Sequence, residues 1–261
     1  MSPLAVDAFD FTLVLARVSA AVMLMPGFGE APAPPMVRVG LSLALCAIIW
    51  PLVASSLPPP SSSEITTALL LAKETLIGGG IGWLARTLVL ALPMAGQFIS
   101  YQIGLSSVLL PDSAIGANST VLADCFNIAI PVLILSSPLF VLPLRALVQS
   151  YAAFPPGFAP HPASGGGVAI SAGGALHIVV TCVQESFVMA IGLAAPFLII
   201  GLILQAGLGL MARAAPQLQI FFLAAPFQIL AGIILVALAA HPLFAVWDRQ
   251  VNAVFGQSLG W

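Results

Sequence analysis

Charged residues are scarce in this sequence of 261 residues: Asp, Glu, Lys and Arg together make up 6%, against 60% hydrophobic residues. Mean hydropathy is +1.12. A water-soluble domain of this size could not cover its surface with so few charges, so the chain belongs in or against a lipid bilayer. The seven Lys and Arg residues are scattered singly and build no basic face, so we expect no nucleic acid partner.

Cysteine and histidine are also few, and their spacing excludes the usual metal and redox motifs. Cys46, Cys125 and Cys182 form no Cys-x-x-Cys pair and are expected to be small core residues. The three histidines lack His-x-x-x-His spacing. Neither a Gly-x-Ser-x-Gly nucleophile elbow nor a phosphate-binding Gly-x-x-x-x-Gly-Lys loop occurs. The sequence therefore predicts no enzyme activity, no metal and no cofactor.

What the chain has instead is a series of long apolar stretches, divided by clusters of proline and glycine. They predict an all-α, membrane-associated protein. The expected helices run from about Val6 to Met25, Met36 to Ala54, Glu64 to Leu92, Ser119 to Phe154, Gly174 to Ala212 and Gln217 to Phe255. The fourth carries Pro131, Pro138 and Pro143 and is expected to be kinked or broken.

A Pro- and Gly-rich stretch after Phe154 is the clearest boundary in the chain. It predicts three parts: a helical part at 1–155, a connector at 156–172 and a long helical hairpin at 173–261. Each arm of that hairpin would be about 55–60 Å long, roughly twice the hydrocarbon thickness of a bilayer. The arms are therefore expected to be tilted and kinked, or to extend out of the membrane within a larger assembly.

The stretch from Gly96 to Asn118 mixes Gln, Ser, Tyr and Gly and is free of charge up to Asp112. A lipid-facing helix has no use for such residues, which are tolerated at membrane depth where backbone is buried in protein or lines a path. We therefore interpret it as a pore element. The alternative is an ordinary re-entrant or interhelical loop with no gating role.

Two further groups of residues stand out inside the apolar stretches. The first contains charged residues predicted to be buried: Arg17, Lys73, Glu74, Arg86, Asp124 and Glu185. Charge inside a membrane is a functional hypothesis, although interhelical ion pairs and helix-end positions are the simpler interpretation. The second contains glycines predicted to allow close helix packing: Gly78, Gly79, Gly80 and Gly82.

Several short motifs follow one another in a specific order. In the first half they are Leu15-Ala16-Arg17-Val18, Pro26-Gly27-Phe28-Gly29, Val37-Arg38-Val39-Gly40, Lys73-Glu74, Ala95-Gly96-Gln97 and Gln102-Ile103-Gly104-Leu105-Ser106. In the second half they are Ala195-Pro196, Gly209, Arg213, Pro216-Gln217, Pro226 and Gly232. Their order resembles the FliR family of flagellar biosynthesis proteins over essentially the whole chain. The chain departs from the family pattern at Pro111-Asp112 and around Ser137-Pro138.

This resemblance implies a subunit of the type III protein export gate in the bacterial inner membrane, at the flagellar basal body. It implies a FliP-like part fused to a FliQ-like hairpin, in a helical ring with FliP-type and FliQ-type subunits. FlhB-type and FlhA-type components, unfolded export substrates and membrane lipid are the other partners implied.

The resemblance also implies two sites. The plug segment, Gly104 to Asn118, would close the pore through Gly104, Leu105, Ser106, Ser107, Val108, Leu109, Leu110, Pro111, Asp112 and Gly116. The entrance turn, Ala212 to Gln219, would present Arg213, Pro216 and Gln217 at the cytoplasmic entrance, where the FlhB-type partner docks. Arg213 can equally be an interfacial anchor that obeys the positive-inside rule.

Two alternatives stay open. The same family serves injectisomes, and the Gln-Ile-Gly-Leu-Ser stretch favours the flagellar version. A self-contained small-solute transporter or channel belongs to another class, and it should show inverted repeats. The one visible repeat, Leu-Ala-Ala-Pro-Phe at 193–197 and 223–227, is five residues long, so the gate is favoured.

Overall fold

A computed structural model provides the structure and describes residues 3–29, 34–60, 63–105, 120–157, 172–214 and 220–258. Of these residues 91% are helical, and no strand occurs among them. The predicted all-α fold is therefore confirmed.

Four helices make up the first part of the chain. They are α1 Pro3–Leu24, α2 Pro35–Val53, α3 Glu64–Val89 and α4 Ala91–Ile103. The third predicted helix is thus divided in two, because Pro93 has no N–H for an α-helical bond and its ring excludes the carbonyl four residues earlier. Helix α3 ends at that residue, Val89. The first third of the polar stretch, Gly96 to Ile103, is helical and belongs to α4.

The predicted break in the fourth helix is confirmed. Helix α5 spans Val121–Ser136, a 3-10 turn spans Pro138–Phe140, and α6 spans Val141–Ala153. The two sides of the break are bent by 83°. Pro138 cannot donate a backbone hydrogen bond, and the Oγ of Ser137 instead accepts one from the N–H of Leu139 at 3.3 Å.

Two long helices follow, as predicted: α7 Ala172–Ala214 with 43 residues and α8 Ile220–Ser258 with 39. At 1.5 Å per residue they are about 65 and 58 Å long. Pro196 in α7 and Pro226 in α8 lie inside the helices without ending them.

Length and composition allow several of these helices to cross a bilayer. Four stretches qualify: Pro35–Val53, Glu64–Ile103, Leu176–Ala214 and Ala224–Gly256. The bent pair α5 and α6 provides a fifth if it is counted as one span. The sequence-based assignment to a membrane is therefore supported.

Contacts divide the chain into two compact units. The first unit contains Met1–Leu88, Pro131–Val183 and Val254–Trp261, and the second contains Val89–Ile130 and Gln184–Ala253. The boundaries predicted from sequence, at 155 and 173, follow chain order and remain a prediction.

Each unit has an apolar core of its own. In the first unit the core includes Leu13, Val14, Val18, Ala21, Cys46, Ile49, Leu84, Ile134 and Leu147. In the second unit it includes Leu92, Ala95, Ile99, Phe126, Met189, Leu193, Phe197 and Trp247. The rings of Phe126 and Phe244 pack edge to face in the second unit, with centroids 5.7 Å apart.

Candidate functional site

The first unit buries a charged side chain in the middle of α1. Arg17 is 0% exposed, and its Nε donates to Oε2 of Glu74 on α3 at 2.6 Å, where Glu74 is 1% exposed. A buried charge of this kind is stable only when it is paired and its remaining donors are satisfied. Two of the charges predicted to be buried are therefore brought together as an interhelical ion pair.

Helix α6 and the residue that follows it accept two further hydrogen bonds from the Arg17 guanidinium. Nη1 donates to Oγ of Ser150 at 3.1 Å, and Nη2 donates to the carbonyl of Phe154 at 2.9 Å. The guanidinium carbon lies 4.1 Å from the centre of the Tyr151 ring, a cation–π distance. Arg17 thus joins α1, α3 and the carboxyl end of α6, where a cation also complements the helix dipole.

Lys73 supports the same end of α6 from the neighbouring position on α3. Its Nζ donates to the carbonyls of Pro155, at 2.9 Å, and Gly157. Pro155 and Pro156 cannot continue the helix, so these carbonyls need donors from side chains. We call Arg17, Lys73, Glu74, Ser150 and Tyr151 the charge cluster; it holds the chain where the predicted connector begins.

The glycine run of α3 lies beside α1. A Cβ added at Gly78 would overlap the backbone carbonyl of Arg17, and one at Gly82 would come within 2.5 Å of the carbonyl of Ala21. A Cβ added at Gly79 would lie 3.6 Å from the side chain of Leu24, an ordinary contact, whereas one at Gly80 would have nothing within 4 Å. The close approach of the two backbones thus depends on Gly78 and Gly82.

The other charges predicted to be buried differ in their exposure. Arg86 and Glu185 are half-buried, and Asp124 is exposed. The expectation of a buried Asp124 does not hold in this chain, because the residue lies in the first turn of α5, where a carboxylate suits the helix dipole without burial. Cys125, expected in the core, is likewise exposed, while Cys46 and Cys182 are buried.

Helix α4 ends where the predicted plug segment begins. Gly104 has φ +82°, a left-handed conformation that favours glycine, and its N–H bonds the carbonyl of Ser100. Gly104 and Leu105 are described, but the predicted plug residues from Ser106 to Gly116 lie outside the described residues.

The last turn of α4 sits between α7 and α8, against the parts of these helices that belong to the second unit. A Cβ at Gly201 of α7 would overlap the Gln102 side chain, and a Cβ at Gly232 of α8 would come within 2.5 Å of the Ile103 Cβ. Nε2 of Gln228 on α8 donates to the carbonyl of Gln102 at 2.9 Å. We call Gly201 and Gly232 the seat of α4.

A small cavity of ≈ 50 Å³ adjoins the seat. Apolar residues from both long helices line it beside Gln102 and Ile103, among them Phe197, Ile200, Leu204 and Leu235. The cavity is partly open at the surface of the chain, since Ile200 and Leu204 are exposed.

Arg213 is exposed in the last turn of α7, where a cation suits the helix dipole. The other two predicted residues of the entrance turn, Pro216 and Gln217, lie outside the described residues.

Sequence reasoning missed Ser150, Tyr151 and Gly201, and it listed Gly232 only as a motif residue without a role in packing. Nothing in the sequence ties Ser150 and Tyr151 to Arg17, more than a hundred residues away. Gly201 and Gly232 did carry a weak signal, since an isolated glycine in an apolar helix often marks a close contact. That signal was ambiguous, because Gly192, Gly207 and Gly209 on α7 look the same and have nothing within 4 Å.

Comparison with known proteins adds independent information. Residues 8–254 match the family model of bacterial export proteins, family 1. The flagellar biosynthetic protein FliR of Caulobacter vibrioides is 32% identical over 246 residues, which cover 94% of each chain. FliR of Escherichia coli is 31% identical, covering 88% of this chain and 84% of that protein. The Yop proteins translocation protein T of Yersinia pestis is 27% identical, covering 84% and 80%.

Proposed function

The chain belongs to the bacterial export proteins, family 1, and is a subunit of the flagellar type III protein export gate; we propose that it helps form the channel for unfolded flagellar proteins and closes it with the plug segment. The observation that carries the function is the match to proteins named FliR over 94% of the chain. With its span-capable helices, the family places the chain in the inner membrane at the flagellar basal body. We propose that it acts there without catalysis of its own.

The plug is supported by where α4 stops. The left-handed turn at Gly104 ends the helix at the first residue of the predicted segment. The sequence then offers an apolar tip, Val108 to Leu110, between polar flanks and a second glycine at Gly116. An apolar constriction can seal a pore by excluding water, and polar flanks would leave the tip displaceable by substrate.

Membership of the family also implies that the chain works within the export apparatus complex. The exposed apolar surface of the long helices supports this, since only 11% of an apolar stretch of 18 residues within Ala224–Gly256 is buried within the chain. We propose FliP-type and FliQ-type subunits as the neighbours that cover α7 and α8. We further propose that FlhB-type and FlhA-type components meet the gate at its cytoplasmic side, where Arg213 and the entrance turn would lie.

The injectisome is the second candidate system, because the Yersinia pestis relative carries the name of a Yop translocation protein. The flagellar assignment is favoured: the relatives named FliR in Caulobacter vibrioides and Escherichia coli are more similar, at 32% and 31% identity against 27%.

Deletion of Ser107 to Ala114 tests the plug. We expect a gate that assembles normally but leaks, since a plug that substrate must displace contributes little to the stability of the ring. Cells carrying the variant should show raised passive uptake of ions or small solutes, while co-purification of the gate subunits stays at the wild-type level.

A size-matched deletion in the connector, Pro160 to Gly167, serves as the control. It removes the same number of residues, eight, from the Pro- and Gly-rich connector and should leave permeability unchanged. A fully assembled gate that stays tight without Ser107 to Ala114 would show that something else seals the channel.

The proposed partners are tested by purification. Produced alone in detergent, the chain should aggregate or unfold at low temperature, because its exposed apolar faces lack neighbours. Co-production with FliP-type and FliQ-type subunits should rescue it. A stable, cooperatively unfolding monomer that conducts solutes in liposomes would contradict the gate and favour a transporter.

A further inference from the structure

The two contacts in the seat differ in the flexibility of the side chain that faces each glycine. At Gly201 the nearest atoms are Cγ, Cδ and Nε2 of Gln102, the outer part of a flexible side chain. At Gly232 the nearest atoms are Cβ and Cγ2 of Ile103, which are rigid because Ile is branched at Cβ. An added methyl group at Gly201 can be accommodated by a rotation of Gln102, whereas one at Gly232 must displace the backbone at the end of α4.

Burial distinguishes the two glycines of the seat from the other residues around them in α7 and α8. Gly201 and Gly232 are buried, although most of their neighbours in α7 and α8 are exposed. Gly207, further along α7, is exposed and has nothing within 4 Å. The two buried glycines therefore mark the point where the long helices receive another element.

The element that packs against these two glycines is the end of α4, the root of the plug segment. Ile103 is the last residue of α4, Gly104 follows in the left-handed turn, and a Cβ on Gly104 would lie 3.7 Å from Ile229 of α8. The hydrogen bond from Gln228 to the carbonyl of Gln102 holds the same turn. Residues of α7 and α8 thus contact three consecutive residues immediately before Leu105.

We propose that Gly201 and Gly232 are positioning residues of the gate, which seat the last turn of α4 between α7 and α8 and so set where the plug segment starts. A movement of α7 or α8 would then be transmitted to the plug through Gln102 and Ile103. The adjoining cavity of ≈ 50 Å³ leaves room for the turn to shift. This proposal rests on the plug proposed above.

Gly232→Ala is the direct test. Overpacking of this size should raise the fraction of gates with α4 unseated about tenfold or more. We expect increased passive uptake of small solutes in cells whose gates co-purify at the wild-type level. Gly207→Ala, the matched control on α7, should leave uptake unchanged.

A size exchange tests the Gly201 side of the seat. Gly201→Leu should leak, because its side chain occupies the place of Gln102. Combining Gly201→Leu with Gln102→Ala should restore a tight gate, since the Cγ, Cδ and Nε2 atoms that overlap position 201 are then absent. A purely structural role of Gly201 would instead lower assembly of the Gly201→Leu variant and leave uptake through the assembled gates unchanged.

Comparing the leak of the two variants, separately and combined, distinguishes the positioning role of the seat from the plug itself. If deletion of Ser107 to Ala114 leaks and an assembled Gly232→Ala gate is tight, the positioning role is wrong and the plug stands. If the deletion is tight, the plug is wrong. Adding Gly232→Ala to the deletion should give no more leak than the deletion alone, and extra leak would show that Gly232 acts elsewhere.

If Gly232→Ala reduces assembly, its leak cannot be measured on intact gates. The variant Gln228→Met then tests the positioning role. It keeps the length of the side chain but removes the hydrogen bond to the Gln102 carbonyl, and we expect a leak about threefold above wild type, in line with one neutral hydrogen bond. Wild-type uptake through Gln228→Met gates would overturn the positioning role.

Discussion

The charge cluster of the first unit and the seat of the second unit both pack one apolar helix against others, with opposite chemistry. In the cluster, Arg17 is fully buried and uses three donor nitrogens on Glu74, Ser150 and Phe154. In the seat, two glycines, which have no side chain, leave space for Gln102 and Ile103. One neutral hydrogen bond of 2.9 Å, from Gln228 to the carbonyl of Gln102, supports the contact.

This difference indicates that the charge cluster is rigid and that the seat of α4 can adjust. A buried ion pair that loses one partner leaves an uncompensated charge, so the cluster is close to all-or-none. A glycine seat depends on steric fit and a neutral hydrogen bond, so small changes shift it by small steps. The first arrangement suits a scaffold, and the second suits an element that can shift.

Removing the charge of Glu74 should have the largest effect on stability. Glu74→Gln keeps the shape of the side chain but leaves Arg17 buried without its counter-ion, which should lower the free energy of unfolding by about 3–5 kcal/mol. Thermal unfolding of the co-purified gate, or the amount of folded subunit in membranes, measures this.

Two variants sharpen that result. Glu64→Gln changes an exposed carboxylate at the start of α3 and should stay within about 0.5 kcal/mol of wild type. The double variant Arg17→Met with Glu74→Leu should recover most of the loss, since an apolar pair replaces the buried charges. A double variant no better than Glu74→Gln would contradict the electrostatic explanation.

Adding a methyl group to Gly78 should have the next largest effect. A Cβ there meets the backbone carbonyl of Arg17, so Gly78→Ala must separate α1 from α3 and should cost about 1–3 kcal/mol. Gly80→Ala, two residues away with nothing within 4 Å, should gain up to about 1 kcal/mol from helix propensity. Equal effects at both sites would show that close packing does not explain the glycine run.

A smaller effect is expected at the root of the plug segment. Gly104 has φ +82°, so Gly104→Ala should cost about 1–2 kcal/mol in a left-handed position. Gly104→Asn should cost less, because Asn adopts this conformation more readily. Unfolding of the gate and passive uptake, measured together, test whether strain here loosens the seat; equal behaviour of Ala and Asn would exclude backbone strain as the cause.

The smallest effect on stability is expected at Arg213. The residue is exposed in the last turn of α7, so Arg213→Glu should change the free energy of unfolding by no more than about 1 kcal/mol through the helix dipole. Export should nevertheless fall while assembly stays intact, if the entrance turn receives a partner. Export at the wild-type level would leave Arg213 as an interfacial anchor.

Much of the fold was predictable from local patterns. Apolar length and the positions of proline set the helices of this chain, including the break at Pro138 and the long pair α7 and α8. The division of α3 from α4 at Leu90 was missed, although Pro93 provided the signal. Of the charged residues singled out in the sequence, Arg17 and Glu74 do pair, but Asp124 is exposed.

The sequence by itself determined the class of this protein, which is an all-α membrane chain with two arms longer than the thickness of a bilayer. It could do so because hydropathy and helix length depend only on neighbouring residues. The order of its motifs also pointed to the export family. The tertiary structure alone decided which residues act together. Arg17 and Ser150 are 133 positions apart, Ile103 and Gly232 almost as far, and identical glycines on one helix differ only in what packs against them. Such pairings are set by the packing of whole helices, which no local pattern encodes.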